Sequence, residues 1–160
     1  MECMTMEKIA PNVTAPKGFI AAGVKAGIKK SGKEDVAIIY SEVPAAAAGV
    51  FTTNTMAAAP VVISRKVAAG GTASAVAVNA GCANACTGEQ GAKDAQEMAQ
   101  VAAEALSVPT EHVFVASTGI IGQTLPMDKL TAGIKDAVSK LSKEGGDDAC
   151  LAILTTDTTE

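Results

Sequence analysis

The sequence predicts an α+β domain in which a mixed sheet is layered with helices. Three observations carry that expectation. Short apolar runs rich in Val, Ile and Ala recur between polar turns, as strands do. Two longer segments, 87–107 and 126–143, repeat apolar residues every three or four positions, as amphipathic helices do. The first strand-like runs follow one another directly and later ones alternate with helices, so antiparallel and parallel neighbours both have a place. With no internal repeat and no low-complexity linker, residues 1–160 read as a single domain.

Composition narrows the chemistry. Hydrophobic residues make up 48%, enough for a real core, but aromatics are only 2%, so that core must be aliphatic. Stacking platforms for single-stranded nucleic acid have almost no material, and a net charge of −4 gives no basic footprint. No apolar run approaches the length of a membrane span, and the first residues lack the apolar stretch of a secretory leader. The four cysteines, at 3, 82, 86 and 150, are too sparse and uneven for a disulfide framework. Free thiols in a reducing cytoplasm are the expectation.

Along the chain, residues 15–32 carry four glycines, which suit short bent strands or a looping arm, and four lysines, at 17, 25, 29 and 30, which suggest a solvated surface. Residues 35–40 read as a strand. A turn over 41–44 and a second, antiparallel strand over 45–53 follow. Ser64 is expected to cap a short helix ending at Gly70-Gly71. A strand at 74–78 leads into the helix 87–107, whose stripe includes Ala92, Ala95, Ala102 and Leu106. Pro109 stops that helix. A strand at 113–116 runs into Ser117-Thr118-Gly119. The helix 126–143, with the stripe Met127, Leu130, Ile134, Val138 and Leu141, is expected to end at Gly145-Gly146. A last strand is expected at 150–154.

Three of these strands end in loops rich in hydroxyl, amide and glycine groups, at 79–88, 117–122 and 155–158. Strands running the same way would gather those loops at one sheet edge, where open sheets bind ligands. A strand ending in Ser-Thr-Gly offers hydroxyl donors and a backbone N–H together, which suits an oxyanion; it reads equally as a polar strand-to-helix loop. Asn79 and Asn84 either serve a site or simply cap and turn the chain. Cys82 and Cys86 lie four apart, but no second pair completes a metal site. His112, the single histidine, has no nucleophile elbow to serve, and a solvated or capping role is expected of it. The inventory holds oxyanion donors but no evident nucleophile or general base.

Five segments in order carry a resemblance: TAPKGFIAAGVKAGIKKSG at 14–32, AAGVFTTNTMAAAPV at 47–61, VNAGCANACTGEQGAKDA at 78–95, VASTGIIGQTLPM at 115–127 and AILTTDT at 152–158. Together they resemble the N-terminal, α-chain half of the ornithine acetyltransferase family. These are the bifunctional ornithine/glutamate N-acetyltransferases (ArgJ) of arginine biosynthesis. The resemblance implies an αββα sandwich of the DmpA/ArgJ type, of which this chain supplies a partial unit. It implies a precursor that cuts itself before a threonine. That threonine, leading a separate β-chain, takes the acetyl group from N2-acetylornithine and passes it to glutamate in a ping-pong cycle. Thr118 and Gly119 would form the oxyanion hole, through hydroxyl and backbone N–H, and Thr155, with Thr156 beside it, would bind substrate. Asn79, Asn84 and Asp157 would shape the site.

The resemblance further implies no cofactor or metal, though acetyl-CoA stays open as a co-substrate. It implies an α/β hetero-oligomer in the cytoplasm, with no nucleic-acid or membrane partner. Two departures from the family pattern stand at Ile20, where a basic residue is usual, and at Cys82, where asparagine is expected. The family's lysine- and glycine-containing segment and its cleavage junction lie beyond Glu160. The chain therefore reads as an α-chain truncated before the self-cleavage site and inactive alone. An amide hydrolase or aminopeptidase on the same self-cleaving scaffold, and a non-catalytic orphan fragment, are the competing readings.

Overall fold

Residues 12–156 are described by the structure, a computed structural model. Four strands form one mixed sheet in the order β1-β2-β3-β4. β1 (Phe19–Val24) pairs antiparallel with β2 (Val36–Ala46), and β2 pairs antiparallel with β3 (Thr72–Cys82). β3 and β4 (Val113–Ile120) are parallel, because the chain returns between them through the long helix α2 (Gly88–Leu106). Helix α1 (Ala59–Gly70) joins β2 to β3, and α3 (Met127–Ser139) and α4 (Gly146–Ile153) follow β4. The mixed sheet layered with helices is the predicted α+β class.

The alternation of side chains across the sheet separates two faces. On one, Val36, Ile38, Ala75, Ala77, Val113 and Val115 pack against Met98, Ala99 and Ala102 of α2 and Leu130, Ile134 and Ala137 of α3. Burying a side chain such as Leu130 or Ile134 stabilises by about 1.5–3 kcal/mol. On the other face, Ala21 and Ala37 pack against Ala149 and Ala152 of α4, with Ile39 and Val78 beside them. This contact is made by backbone as much as by side chains. A Cβ at Gly23 would strike the backbone of Asp148, and one at Gly145 the carbonyl of Ala21. No other residue permits so close an approach.

α1 ties to β4, the sheet's edge strand, through Ser64. Its hydroxyl donates to the Val115 carbonyl at 2.7 Å and accepts from the Val115 N–H at 3.0 Å. Satisfying edge groups this way shields the edge from pairing with another chain. Among the described residues, no helix is long and apolar enough to cross a membrane.

Several elements differ from expectation. Residues 41–44 do not turn. β2 runs through them with a register irregularity between Tyr40 and Ala45, where Ser41 Oγ donates to the Val43 carbonyl at 2.7 Å. Pro44 is tolerated at such an irregularity, and residues 47–53 beyond it form no strand. Ser64 lies inside α1 rather than at its N-cap, and Pro60 opens the helix instead. α3 ends at Ser139, and Gly145-Gly146 begin the next helix rather than ending this one. Residues 150–154, expected as a strand, belong mostly to α4. Asp147 and Asp148 favour its N-terminus, and Ala149 and Ala152 at i, i+3 place one face on the sheet.

Candidate active-site cleft

Parallel pairing brings the ends of β3 and β4 together. Ala80 stands opposite Thr118, Gly81 opposite Gly119 and Cys82 opposite Ile120. β4 therefore runs on through Ser117-Thr118-Gly119 instead of stopping before them. Gly119 has φ 128°, and a Cβ there would collide with the backbone of Gly81 and the amide of Cys82. Glycine is required at this position on both counts. Because Val113 and Val115 point into the helical face, alternation turns Phe114, Ala116 and Thr118 to the opposite face, the one that carries α4.

The chain leaving α4 carries Thr155 and Thr156 to a cleft that Thr118 also lines. The cleft has a volume of about 640 Å³. Gly81, Thr118, Gly119 and Ile120 at the strand ends line one side, with Gln123 and Thr124 just beyond them. Ile28, Lys29, Lys30 and Ser31 line another, and Cys82, Pro126, Thr155 and Thr156 line the rest. All four residues singled out in the sequence, Thr118, Gly119, Thr155 and Thr156, thus lie on one cleft. Asp157 lies outside the described residues.

The cleft's charge is one-sided. Lys29 and Lys30 line it and, among the described residues, no carboxylate does. Burial lowers the Lys29 pKa, opposed in part by the carboxylates of Asp35 and Glu34. Hydroxyls are plentiful, from Ser31, Thr118, Thr124, Thr155 and Thr156, but among the described residues no histidine or carboxylate lines the cleft as a general base. His112 sits half-buried at the opposite end of β4, in the 3₁₀ turn Thr110–His112, too far along the strand to serve. The surface can bind an anion and donate hydrogen bonds; among the described residues none is placed to activate a nucleophile.

Neither Asn79 nor Asn84 lines the cleft; both build its frame. Asn79 Nδ2 donates to the Cys82 carbonyl at 2.9 Å, holding the turn after β3. Asn84, at φ 47°, donates to the Gly91 carbonyl at 2.8 Å and accepts from Thr87 Oγ1 at 2.7 Å, pinning the start of α2. Cys82 is buried and its thiol donates to the Gln123 carbonyl at 3.1 Å, while Cys86 is exposed. Among the described residues no group of three or more His, Cys, Asp or Glu side chains could hold a metal ion.

Sequence reasoning missed the wall formed by residues 28–31, which it treated as solvated surface. The available signal was Asp35, a carboxylate at the start of a β-branched run. Fully buried, it accepts from the N–H groups of Ala26 at 2.6 Å, Ile28 at 2.5 Å and Lys29 at 2.9 Å. A buried carboxylate must be satisfied, and folding the preceding loop around it does so.

Residues 20–160 match the ArgJ family. The chain is 58% identical over 155 residues to the arginine biosynthesis bifunctional protein ArgJ of Symbiobacterium thermophilum, covering 96% of this chain and 39% of that protein. It is 50% identical to the protein of the same name from Synechocystis, covering 93% of this chain and 36% of that one. The chain therefore spans well under half the length of these curated relatives. Among solved structures it superposes on ornithine acetyltransferase from Mycobacterium tuberculosis, crystallised with ornithine, at a TM-score of 0.90 and 49% identity; the match covers 92% of this chain and 81% of that one. It also superposes on ArgJ from Bacillus halodurans at a TM-score of 0.86 and 42% identity, covering 93% of this chain and 78% of that one.

Proposed function

The chain belongs to the ArgJ family, and from that premise we propose that it is the α-chain portion of an ornithine/glutamate N-acetyltransferase. In this reading the acetyl group of N2-acetylornithine passes to the N-terminal threonine of a β-chain and then to glutamate, in a ping-pong cycle. The α-chain binds and stabilises. The Thr118 hydroxyl and the Gly119 N–H hold the oxyanion that develops as the acetyl carbonyl becomes tetrahedral. Thr155 and Thr156 hold the amino-acid portion of the substrate, and Lys30 on the rim draws in its carboxylate. Acetyl-CoA stands as an alternative acetyl source for glutamate, and no cofactor is required. The cytoplasm is the proposed location.

The observation that carries this reading is the convergence of Thr118, Gly119, Thr155 and Thr156 on one cleft that has cations and, among the described residues, no general base. Among the described residues such a site can stabilise charge but has no base to activate a nucleophile, and a second chain would supply one already activated by its own N-terminal amine. The coverage figures favour the same division. Nearly the same stretch fills 81% of the crystallised M. tuberculosis chain but 39% of the S. thermophilum protein. The crystallised chain is thus far shorter than such a protein, as expected where one precursor becomes two chains. The sheet also keeps room for a second layer beside α4, over Val76, Phe114 and Ala116.

The test is an assay of the whole gene product with N2-acetylornithine and glutamate. Acetylglutamate should form, with initial-rate plots parallel in the two substrates. Acetate released without glutamate would instead identify an amide hydrolase, and no turnover of either kind would defeat the enzymatic reading.

A further inference from the structure

Helix α4 ends without a basic residue in its own last turn. Its final carbonyls need partners, as those of every helix do, and a cation placed there also opposes the negative end of the helix dipole. The partner comes from 122 residues away in sequence. Lys29 Nζ donates to the carbonyl of Ala152 at 3.0 Å, reaches that of Leu151 at 3.5 Å, and donates to that of Glu34 at 2.6 Å. An ammonium has three protons, and three carbonyls surround this one.

The lysine is itself held. Its backbone N–H donates to Asp35, whose carboxylate also fixes Ala26 and Ile28. The Asp35 carbonyl in turn accepts from the N–H of Ala80 at 2.8 Å, one residue before Gly81. A continuous set of bonds therefore runs from the strand paired with Thr118 and Gly119, through Asp35 and Lys29, to the end of α4. Three residues past Ala152 the chain reaches Thr155.

We propose that Lys29 is a positioning residue that sets where Thr155 and Thr156 stand relative to the Thr118–Gly119 pair, and so sets the enzyme's affinity for its amino-acid substrate. The inference rests on the reading of Thr155 and Thr156 as substrate-binding. Lys29 acts through the backbone of α4, whereas Lys30 beside it on the rim has no such contact among the described residues. A methionine at 29 keeps the aliphatic stem and removes the cation. The end of α4 would then lose its cap, and the two threonines would sample more positions before binding substrate.

The test uses the whole gene product and steady-state kinetics with N2-acetylornithine. Lys29→Met should raise KM by about tenfold or more, as the loss of hydrogen bonds from a charged group implies, while kcat changes little. Lys29→Arg, which keeps a donor cation, should restore most of the affinity. Hydrogen exchange should show residues 150–156 losing protection in Lys29→Met while α3 keeps its own. An unchanged KM, or a fall in kcat and thermal stability with KM unmoved, would overturn the proposal, since a purely structural lysine would behave so. If Lys29→Met does not fold, Asp35→Asn, which weakens the same loop, should show the same KM effect, and an unmoved KM there counts equally against it. Thr155→Ala and Thr156→Ala separate the two layers. If both leave KM unchanged, the substrate-binding reading fails; if they raise KM and Lys29→Met does not, the positioning claim fails alone.

Discussion

On one face of the sheet, Val36, Ile38, Val113 and Val115 meet Met98, Leu130 and Ile134 in a core with large aliphatic side chains on both sides. On the other, Ala21, Ala37, Ala149 and Ala152 let α4 lie almost directly on the backbone of β1. α4 reaches β3 at Val78, but around Val76, Phe114 and Ala116 that second face is left open by the described residues, with Val76 and Phe114 half-buried and Ala116 exposed. The difference separates stability from function. Large side chains interdigitating on the helical face supply the free energy of folding. The thin contact on the other face supplies shape: it brings the end of α4 close enough to place Thr155 and Thr156 beside Thr118.

Substitutions can break or sharpen this contrast. The largest effect is expected at Gly119, where both the conformation and the space demand glycine. Gly119→Val should abolish acetyl transfer and lower stability by about 3 kcal/mol or more, read by activity assay and denaturant melts. Next comes the helical face. Ile134→Ala should cost about 2–5 kcal/mol, seen as a lowered unfolding midpoint with an unchanged denaturant slope. A cost well below that range would mean that the helical face is not the main source of stability.

The open face should respond in a context-dependent way. Val76→Thr should cost about 1 kcal/mol or less in this chain, because the side chain already has some contact with water. The same change should cost more in the whole gene product if a second layer covers it. Equal costs would show that nothing packs there. At the small end, Cys86→Ser, on an exposed side chain outside both faces, should change stability by no more than about 0.5 kcal/mol.

Where a signal was local, the sequence was readable. The α2 stripe and its stop placed that helix to within a residue, and Gly71 at φ 73° closes α1 as a glycine pair suggests. The three-residue run from Ser117 to Gly119 marked the cleft because few strands end in two hydroxyls and a flexible residue. The misreadings share a different cause. Residues 150–154 form a short apolar run, which periodicity alone assigns to neither strand nor helix. What decides it is distant: Gly23 and Ala21 on β1 offer a bed that only a helix of small residues fills. Pro44 looked like a turn because no local signal announces an irregularity within a long strand. Lys29 looked like a solvated charge for the same reason, since its partners lie at the far end of the chain.

The central claim is that the ends of β3 and β4 stabilise charge in an acetyl-transfer reaction whose nucleophile comes from elsewhere. The most direct test is single-turnover acetyl transfer from N2-acetylornithine by the whole gene product carrying Thr118→Ala. The change removes one donor and leaves Gly119, the sheet and the cleft in place. The account predicts a rate lowered by about 100-fold or more, with stability unchanged. A rate equal to that of the unmodified protein would contradict it.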